Sequence, residues 1–402
     1  MSESNTVVVR RYRSLDGLRG AAAVIVVLYH LFEIARPYLI GSSGPAPLDG
    51  LTPYSWWVTT PASVLVAGPQ AVYVFFVLSG FVLTLPVIRS ASFDWVSYYP
   101  RRIARLYLPA LASLAFAVLM IVIIPRTDNH EPEGSWILRT ALTLDPGVIL
   151  REATLTTIFP LYNGPLWSLY LEVAFSLLLP AFVAFAVVTR RWWWAAVIVA
   201  LVAVYYGSET NDYGFKLLPL FFLGAMMAVK LEQLENIAAR INAWRARTVV
   251  WLLLLLLGLA LLVPASFVPA LFTIAHGWSY ITLASVLGAA LIVFVAFGSR
   301  GVATVLESPV FAWLGTISFS LYLVHVPVLV GIAFLGGGNH WGLVGLIGIP
   351  ASLLGGWLFY LVVERPSHRF SLWIGRRAGR SAAARDAEKT AAGDAEGRRP
   401  TR

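Results

Sequence analysis

Apolar residues recur in ten long runs along the chain, near 17–36, 64–86, 103–124, 165–188, 191–207, 214–230, 248–264, 278–298, 310–334 and 341–363. A helix needs about 20 such residues to cross the hydrocarbon core of a bilayer, and the fifth and sixth runs are the shortest. The pattern predicts an all-α polytopic membrane protein of about ten transmembrane helices. Residues 1–13 precede the membrane domain, which spans 14–370. From about Gly379 the chain turns to Ala, Arg, Glu and Asp without periodicity, so 371–402 reads as a largely disordered tail. Loop 37–63 is rich in Pro, Gly and Ser, and loop 125–164 mixes Asp128, His130, Glu131, Glu133, Asp145 and Glu152. Ser90–Arg105 carries Phe93, Trp95, Tyr98 and Tyr99 among basic residues, a composition suited to the membrane surface ahead of the third helix.

Charge gives the topology. Of 30 Lys and Arg residues, 25 fall on segments that an even helix count puts on the side of the N-terminus. Only Arg36, Arg126, Arg139, Arg151 and Lys216 fall on the other side, which predicts N-in and C-in. The chain is 58% hydrophobic and 13% charged, about half the charge of a soluble protein. The pI near 9.8 then reflects topology rather than a nucleic-acid partner. With no cysteine, disulfides, iron–sulfur clusters and thiol catalysis are excluded. The basic start and Ala21–Leu28 look like a signal peptide, but the run continues through Tyr29, His30, Phe32 and Glu33 without a small-residue cleavage site. The first run is therefore expected to be retained as a span.

Arg19 and His30 lie inside that first run. Eleven steps at about 100° come to about 20° past three turns, so both side chains share one helix face, about 16 Å apart along the axis. Ionisable groups in a span are costly and face protein or water, which makes the pair a functional candidate. A rise of about 1.5 Å per residue puts His30 about 20 Å and His325 about 22 Å above the inner face. Glu172 comes out about 12 Å below the outer face of a core about 30 Å thick, nearly the same level. At the inner end Arg102 and Arg105 are i, i+3 on one helix face, beside Arg101 and level with Arg19. Guanidinium forks suit phosphates, although basic residues at inner helix ends are also ordinary anchors. Arg19 departs most from the anchor reading, because it lies within the helix one turn after Asp16.

Blander readings fit several other residues. Ser79 lies in Leu-Ser-Gly, where small residues favour helix packing. Trp192–Trp194 reads as an aromatic belt anchor, Asp128–Glu133 as solvated carboxylates, and Glu364–Arg365 as an interfacial pair ending the last helix before Pro366. The six histidines are scattered, with no His-x3-His pair to hold a metal. Buried Arg, His and Glu would equally serve a proton-coupled transporter or glycan flippase. The sequence shows none of the inverted repeats or paired interrupted helices that mark one.

Six motifs point to one family. Ser14-Leu-Asp-Gly-Leu-Arg-Gly20 leads to His30, and Phe75-Phe-Val-Leu-Ser-Gly-Phe81 and Arg102-Ile-Ala-Arg105 follow. Trp167-Ser-Leu-Tyr-Leu-Glu172, Leu314-Gly-Thr-Ile-Ser-Phe-Ser-Leu-Tyr-Leu-Val-His325 and Glu364-Arg-Pro366 complete the set. In this order, from about Arg13 to Arg369, they resemble the acyltransferase-3 family of integral membrane O-acyltransferases, the O-antigen acetylase type. The resemblance implies transfer of an acyl group, commonly acetyl, from cytoplasmic acyl-CoA to a hydroxyl. The acceptor would be a cell-surface carbohydrate or another glycan or secondary metabolite, and the location the bacterial plasma membrane. The family's essential Arg-x10-His and Arg-x-x-Arg motifs map onto Arg19, His30, Arg102 and Arg105. On that basis the three arginines hold acyl-CoA without a metal. His30 acts as general base, or as nucleophile in an acyl-imidazole variant. Glu172 would fix the His30 tautomer and stabilise its cation. Trp167, Tyr322 and His325 would line the acceptor side, with a cross-helix hydrogen bond as the structural alternative for His325. Phe175-Ser176 departs from the family's frequent aromatic pair, and Tyr170 stands where a small residue is common; both bear on the acceptor pocket. Some members carry a C-terminal hydrolase-like domain, and the short tail implies that this chain works alone or with a separate partner.

Overall fold

The computed structural model describes residues 12–40, 52–124, 126, 136–140, 143–336 and 340–397, except the side chains of 138, 139 and 382–397. Fifteen α-helices follow in order. They are α1 (Arg13–Ile40), α2 (Pro53–Thr59), α3 (Gly68–Arg89), α4 (Trp95–Ile123), α5 (Pro146–Ala153), α6 (Leu166–Val188), α7 (Trp193–Thr210) and α8 (Tyr213–Val229). Then come α9 (Leu231–Ala243), α10 (Arg247–Leu262), α11 (Gly277–Gly298), α12 (Arg300–Leu306), α13 (Pro309–Gly336), α14 (Trp341–Phe359) and α15 (Arg365–Gly397). No strand occurs among the described residues, and the fold is an all-α, multi-pass membrane fold.

Short polar residues set the helix starts. Asp94 accepts from the Ser97 backbone N–H at 2.9 Å, Asp212 from Phe215 at 3.0 Å, and Asp145 from Gly147 at 2.6 Å. The Asp94 carboxyl is held below its usual range by the Ser97 hydroxyl and backbone. Asn211, at φ 56°, is the left-handed residue that turns α7 into α8.

Each expected apolar run coincides with a helix, but the count of ten spans does not follow from length. Among the described residues seven helical stretches are long and apolar enough to cross, or eight if α8 and α9, bent by 71°, form one span. The fourth and fifth runs share one stretch, Leu166–Thr210, joined by a 3-10 turn at Thr189–Trp192. α8 and α10 have 17 and 16 residues, short of the usual span.

From Arg365 the chain runs as a helix to Gly397. Its alanines have the best helix propensity, and its first half packs on α4, where a Cβ on Gly375 or Gly379 would press on Ser97 and Arg101 or on Asp94. Trp95–Arg105 is the first part of α4 itself, with Ser97 and Arg101 packed under α15. One further expectation is corrected: Pro366 does not end the last helix. Proline cannot donate to the carbonyl four residues back, and the chain absorbs this through a π-turn at Tyr360–Glu364, where Arg365 N–H reaches Tyr360 O. That turn carries Glu364 inward to accept from Ser320 Oγ at 2.5 Å. Asp128, His130, Glu131 and Glu133 lie outside the described residues.

Glycine contacts hold the helices together, as expected where lipid supplies no hydrophobic drive. A Cβ on Gly80 or Gly224 would overlap the facing backbone of α8 or α3. One on Gly20 would stand 2.5 Å from Gly315 N, and one on Gly315 would overlap the Asp16 carbonyl. Ser79, beside Gly80, is 9% exposed and belongs to this packing. Gly315→Val should cost about 1–3 kcal/mol through overpacking and lower the thermal midpoint in detergent. Gly301→Ala, which meets no atom within 4 Å, should leave the midpoint unchanged.

Candidate active site

α1 and α13 run parallel and in step. Gly20 faces Gly315, and ten residues further on His30 faces His325, both pairs 295 apart in sequence. His325 is 0% exposed. Its Nε2 lies 3.1 Å from His30 Nδ1, with ring centroids 4.9 Å apart. Each Nδ1 also meets the carbonyl four residues back, His30 to Val26 O at 2.9 Å and His325 to Leu321 O at 3.0 Å. A carbonyl only accepts, so each Nδ1 carries the hydrogen in the neutral ring and each Nε2 keeps a lone pair. No hydrogen bond among the described residues engages His30 Nε2. Tyr29 and Trp136 complete the surroundings of His30, with centroids at 5.0 and 5.1 Å.

Below the imidazoles a polar line continues between α13 and α6. Tyr322 OH shares a hydrogen bond of 2.7 Å with Ser168 Oγ, and the Tyr322 ring lies 6.0 Å from His325. One turn along α6, Glu172 accepts from Arg102 Nη2 at 2.6 Å. Arg102 Nε donates to Ser176 Oγ at 2.9 Å, and that hydroxyl donates to Glu172 O at 2.6 Å. Ser176, the departure noted in the sequence, thus fastens the Arg102 fork. Arg102 and Glu172 side chains are 13% and 23% exposed, so this ion pair is closed and largely shielded. Arg105 and Arg19 interact electrostatically with each other and with Glu364, but neither has a carboxylate within ion-pair distance among the described residues.

The expected grouping is therefore revised. His30 and His325 come together as their matched depth implied. Glu172 does not join them; it stands on the arginine side, one turn below Ser168, so it does not orient His30. Depth gave its level along one helix, whereas its partner depends on which face of α6 meets α4. Trp167 packs edge-on against Phe76 of α3, centroids 6.2 Å apart. Among the described residues no cluster could hold a metal ion.

Sequence reasoning passed over Asn163 and Glu152. Asn163 is 0% exposed, and its amide donates to Ser113 Oγ at 3.0 Å and Leu323 O at 3.1 Å, two residues before His325. Glu152 takes the backbone N–H groups of Leu161 at 2.5 Å, Tyr162 at 2.9 Å and Asn163 at 3.4 Å. Burial pushes its carboxyl above the usual range, against those three donors. Only the Asn-Gly-Pro start of α6 could have pointed to this strut.

The fold and site thus define a multi-pass membrane bundle with an imidazole pair inside it. The family comparison makes that specific. The chain belongs to the acyltransferase-3 family, whose acyltransferase domain matches residues 12–361. It is 30% identical over 397 residues to acyltransferase MdmB of Streptomyces mycarofaciens, covering 91% of this chain and 93% of that protein. It is 27% identical over 346 residues to the putative peptidoglycan O-acetyltransferase YrhL of Bacillus subtilis (strain 168), covering 79% of this chain and 48% of that protein. The chain thus spans about half the length of the Bacillus relative. No solved structure matches. The protein is an acyltransferase, and the transporter alternative gives way.

Glu152→Ala should strand the two buried N–H groups of Tyr162 and Asn163, at about 1–3 kcal/mol each if neither finds water, and lower both thermal midpoint and activity. Glu152→Gln keeps the oxygen that takes Leu161 and Tyr162 and should retain most of both.

Proposed function

We propose that the protein transfers an acyl group, most simply acetyl, from acyl-CoA to a hydroxyl of a carbohydrate acceptor. It would work in the cytoplasmic membrane with both termini inside. The observation that carries this reading is the His30 Nε2, oriented through Nδ1 and without a hydrogen bond among the described residues, on a polar line toward Arg19 and Arg105, which have no ion pair among those residues. The excess of Lys and Arg on the proposed inner side supports a cytoplasmic donor. The acceptor named for the Bacillus relative, peptidoglycan, is a glycan and supports a sugar hydroxyl here.

Arg105 and Arg19 would take the phosphates of the CoA, with Arg102 held in place by Glu172 and Ser176 beside them. The thioester would reach His30 along the polar line, and the acceptor would enter from the outer side. His30 Nε2 takes the proton of the acceptor hydroxyl as its oxygen bonds to the thioester carbonyl carbon. The C–S bond breaks, and the proton passes from Nε2 to the departing thiolate, leaving ester and free CoA thiol.

The test is purified protein in vesicles with radiolabelled acetyl-CoA and carbohydrate acceptors, scored for thioester loss and acceptor labelling. His30→Ala should abolish turnover. Acceptor flux lost in that variant, with no thioester ever consumed by the wild type, would overturn the reading. Arg105→Gln should raise KM for acyl-CoA by about 10- to 100-fold, the worth of one or two charge-assisted hydrogen bonds, with little change in kcat. An unchanged KM would remove the phosphate site.

A further inference from the structure

With Glu172 committed to Arg102, another group must bear on the positive charge that His30 acquires with the acceptor proton. We infer that His325 is the positioning residue of this reaction, through a neutral imidazole pair in which its Nε2 accepts from His30 Nδ1–H. The inference rests on His30 being the base.

The hydrogen-bond geometry sets the direction of the pair. His325 Nδ1 is spent on Leu321 O, so its Nε2 offers a lone pair. His30 Nδ1 has two acceptors converging on it, Val26 O at 2.9 Å and His325 Nε2 at 3.1 Å. A nitrogen so placed is the donor, which leaves His30 Nε2 as the basic atom. Each ring is thus locked in the same tautomer by its own helix. When Nε2 takes the proton, the charge spreads to Nδ1–H, where His325 and the Val26 carbonyl meet it. No proton moves onto His325, and the Nδ1–H bond persists while the proton travels from acceptor oxygen to Nε2 to thiolate. A carboxylate would stabilise the cation more strongly, but it would have to be ionised in a low-dielectric interior before the reaction begins. A neutral imidazole carries no such charge in the resting site.

The neighbourhood leaves the pair to itself. Tyr29 on α1 is the titratable neighbour of His30, and Tyr322 on α13 that of His325, its hydroxyl already bonded to Ser168 of α6. Trp136, beside His30, does not titrate. Among the described residues no carboxylate or guanidinium hydrogen-bonds or ion-pairs with either imidazole.

Two substitutions separate positioning from packing. His325→Leu fills much the same volume without an acceptor, and His325→Gln returns an amide oxygen near the place of Nε2. His325→Leu should lower kcat by about 10- to 100-fold, a fraction of what a general base supplies, with KM for acyl-CoA within about twofold. The acid limb of kcat/KM should move to lower pH, because the neutral base is needed and its protonated form has lost a partner. His325→Gln should recover much of the kcat and return the limb toward its original position. Unchanged kcat and limb in His325→Leu would overturn the inference, as would equal losses in both variants with an unmoved limb. If the leucine variant does not fold, the glutamine variant decides: a weaker, differently placed acceptor must still displace the limb measurably, and an unmoved limb overturns the inference. His30→Ala keeps the two proposals apart. Turnover surviving in that variant removes the base assignment itself, whereas its loss beside a wild-type-like His325→Leu removes only the role of His325.

Discussion

The structure depends first on how closely α1 approaches α13. Glycine at 20 and at 315 lets the two backbones touch, and no side chain fits between them. Parallel helices that meet at one point keep their register for several turns, since both rise about 1.5 Å per residue. Ten residues beyond that contact the register brings His30 opposite His325. The imidazole pair is therefore set by a packing constraint about 15 Å away along the helix axis. It does not rely on a flexible loop to hold it.

The same logic separates two layers of charge. In the upper layer, two neutral rings are satisfied by backbone carbonyls, so they sit in an apolar interior at modest cost. In the lower layer, the carboxylates of Glu172 and Glu364 act on Arg105, and Glu364 also feels Arg19. Glu172 neutralises and fixes Arg102, which leaves Arg19 and Arg105 facing Glu364, an excess of one positive charge among these five groups. A site built for an anion needs such an excess, because a fully paired cluster offers a phosphate nothing. Arg105 is exposed while Arg102 is shielded, so in the proposed reaction the two arginines of one motif would divide between reaching and bracing.

Local geometry explains what could be read from the sequence. The common face of Arg19 and His30 follows from helical period alone, and the depth of His325 from helical rise, so both transferred to three dimensions. Glu172 shows the limit: its level gave no information about the lateral position of α6, and the arginine of α4 claimed it. The number of spans was legible as apolar runs, but not where α6 and α7 join or where α8 bends into α9, because hydropathy registers composition and not continuity. The segment after Arg365 offered no hydrophobic period by which to place it. Low hydrophobicity argues against a self-sufficient core, yet a helix that leans on α4 through Gly375 and Gly379 needs none of its own.

The π-turn at Tyr360–Glu364 connects these observations. A regular helix through Pro366 would lose the hydrogen bond to Val362 and clash with its carbonyl. Inserting a wider turn relieves that conflict, and Glu364, the last residue of the turn, meets Ser320 on α13, five residues before His325. The irregularity thus fixes where the second carboxylate of the lower layer stands. It also sets the direction in which α15 leaves to pack on the start of α4, the helix that carries Arg102 and Arg105. A local backbone accommodation to one proline in this way positions both the charge balance of the arginine layer and the element that braces it.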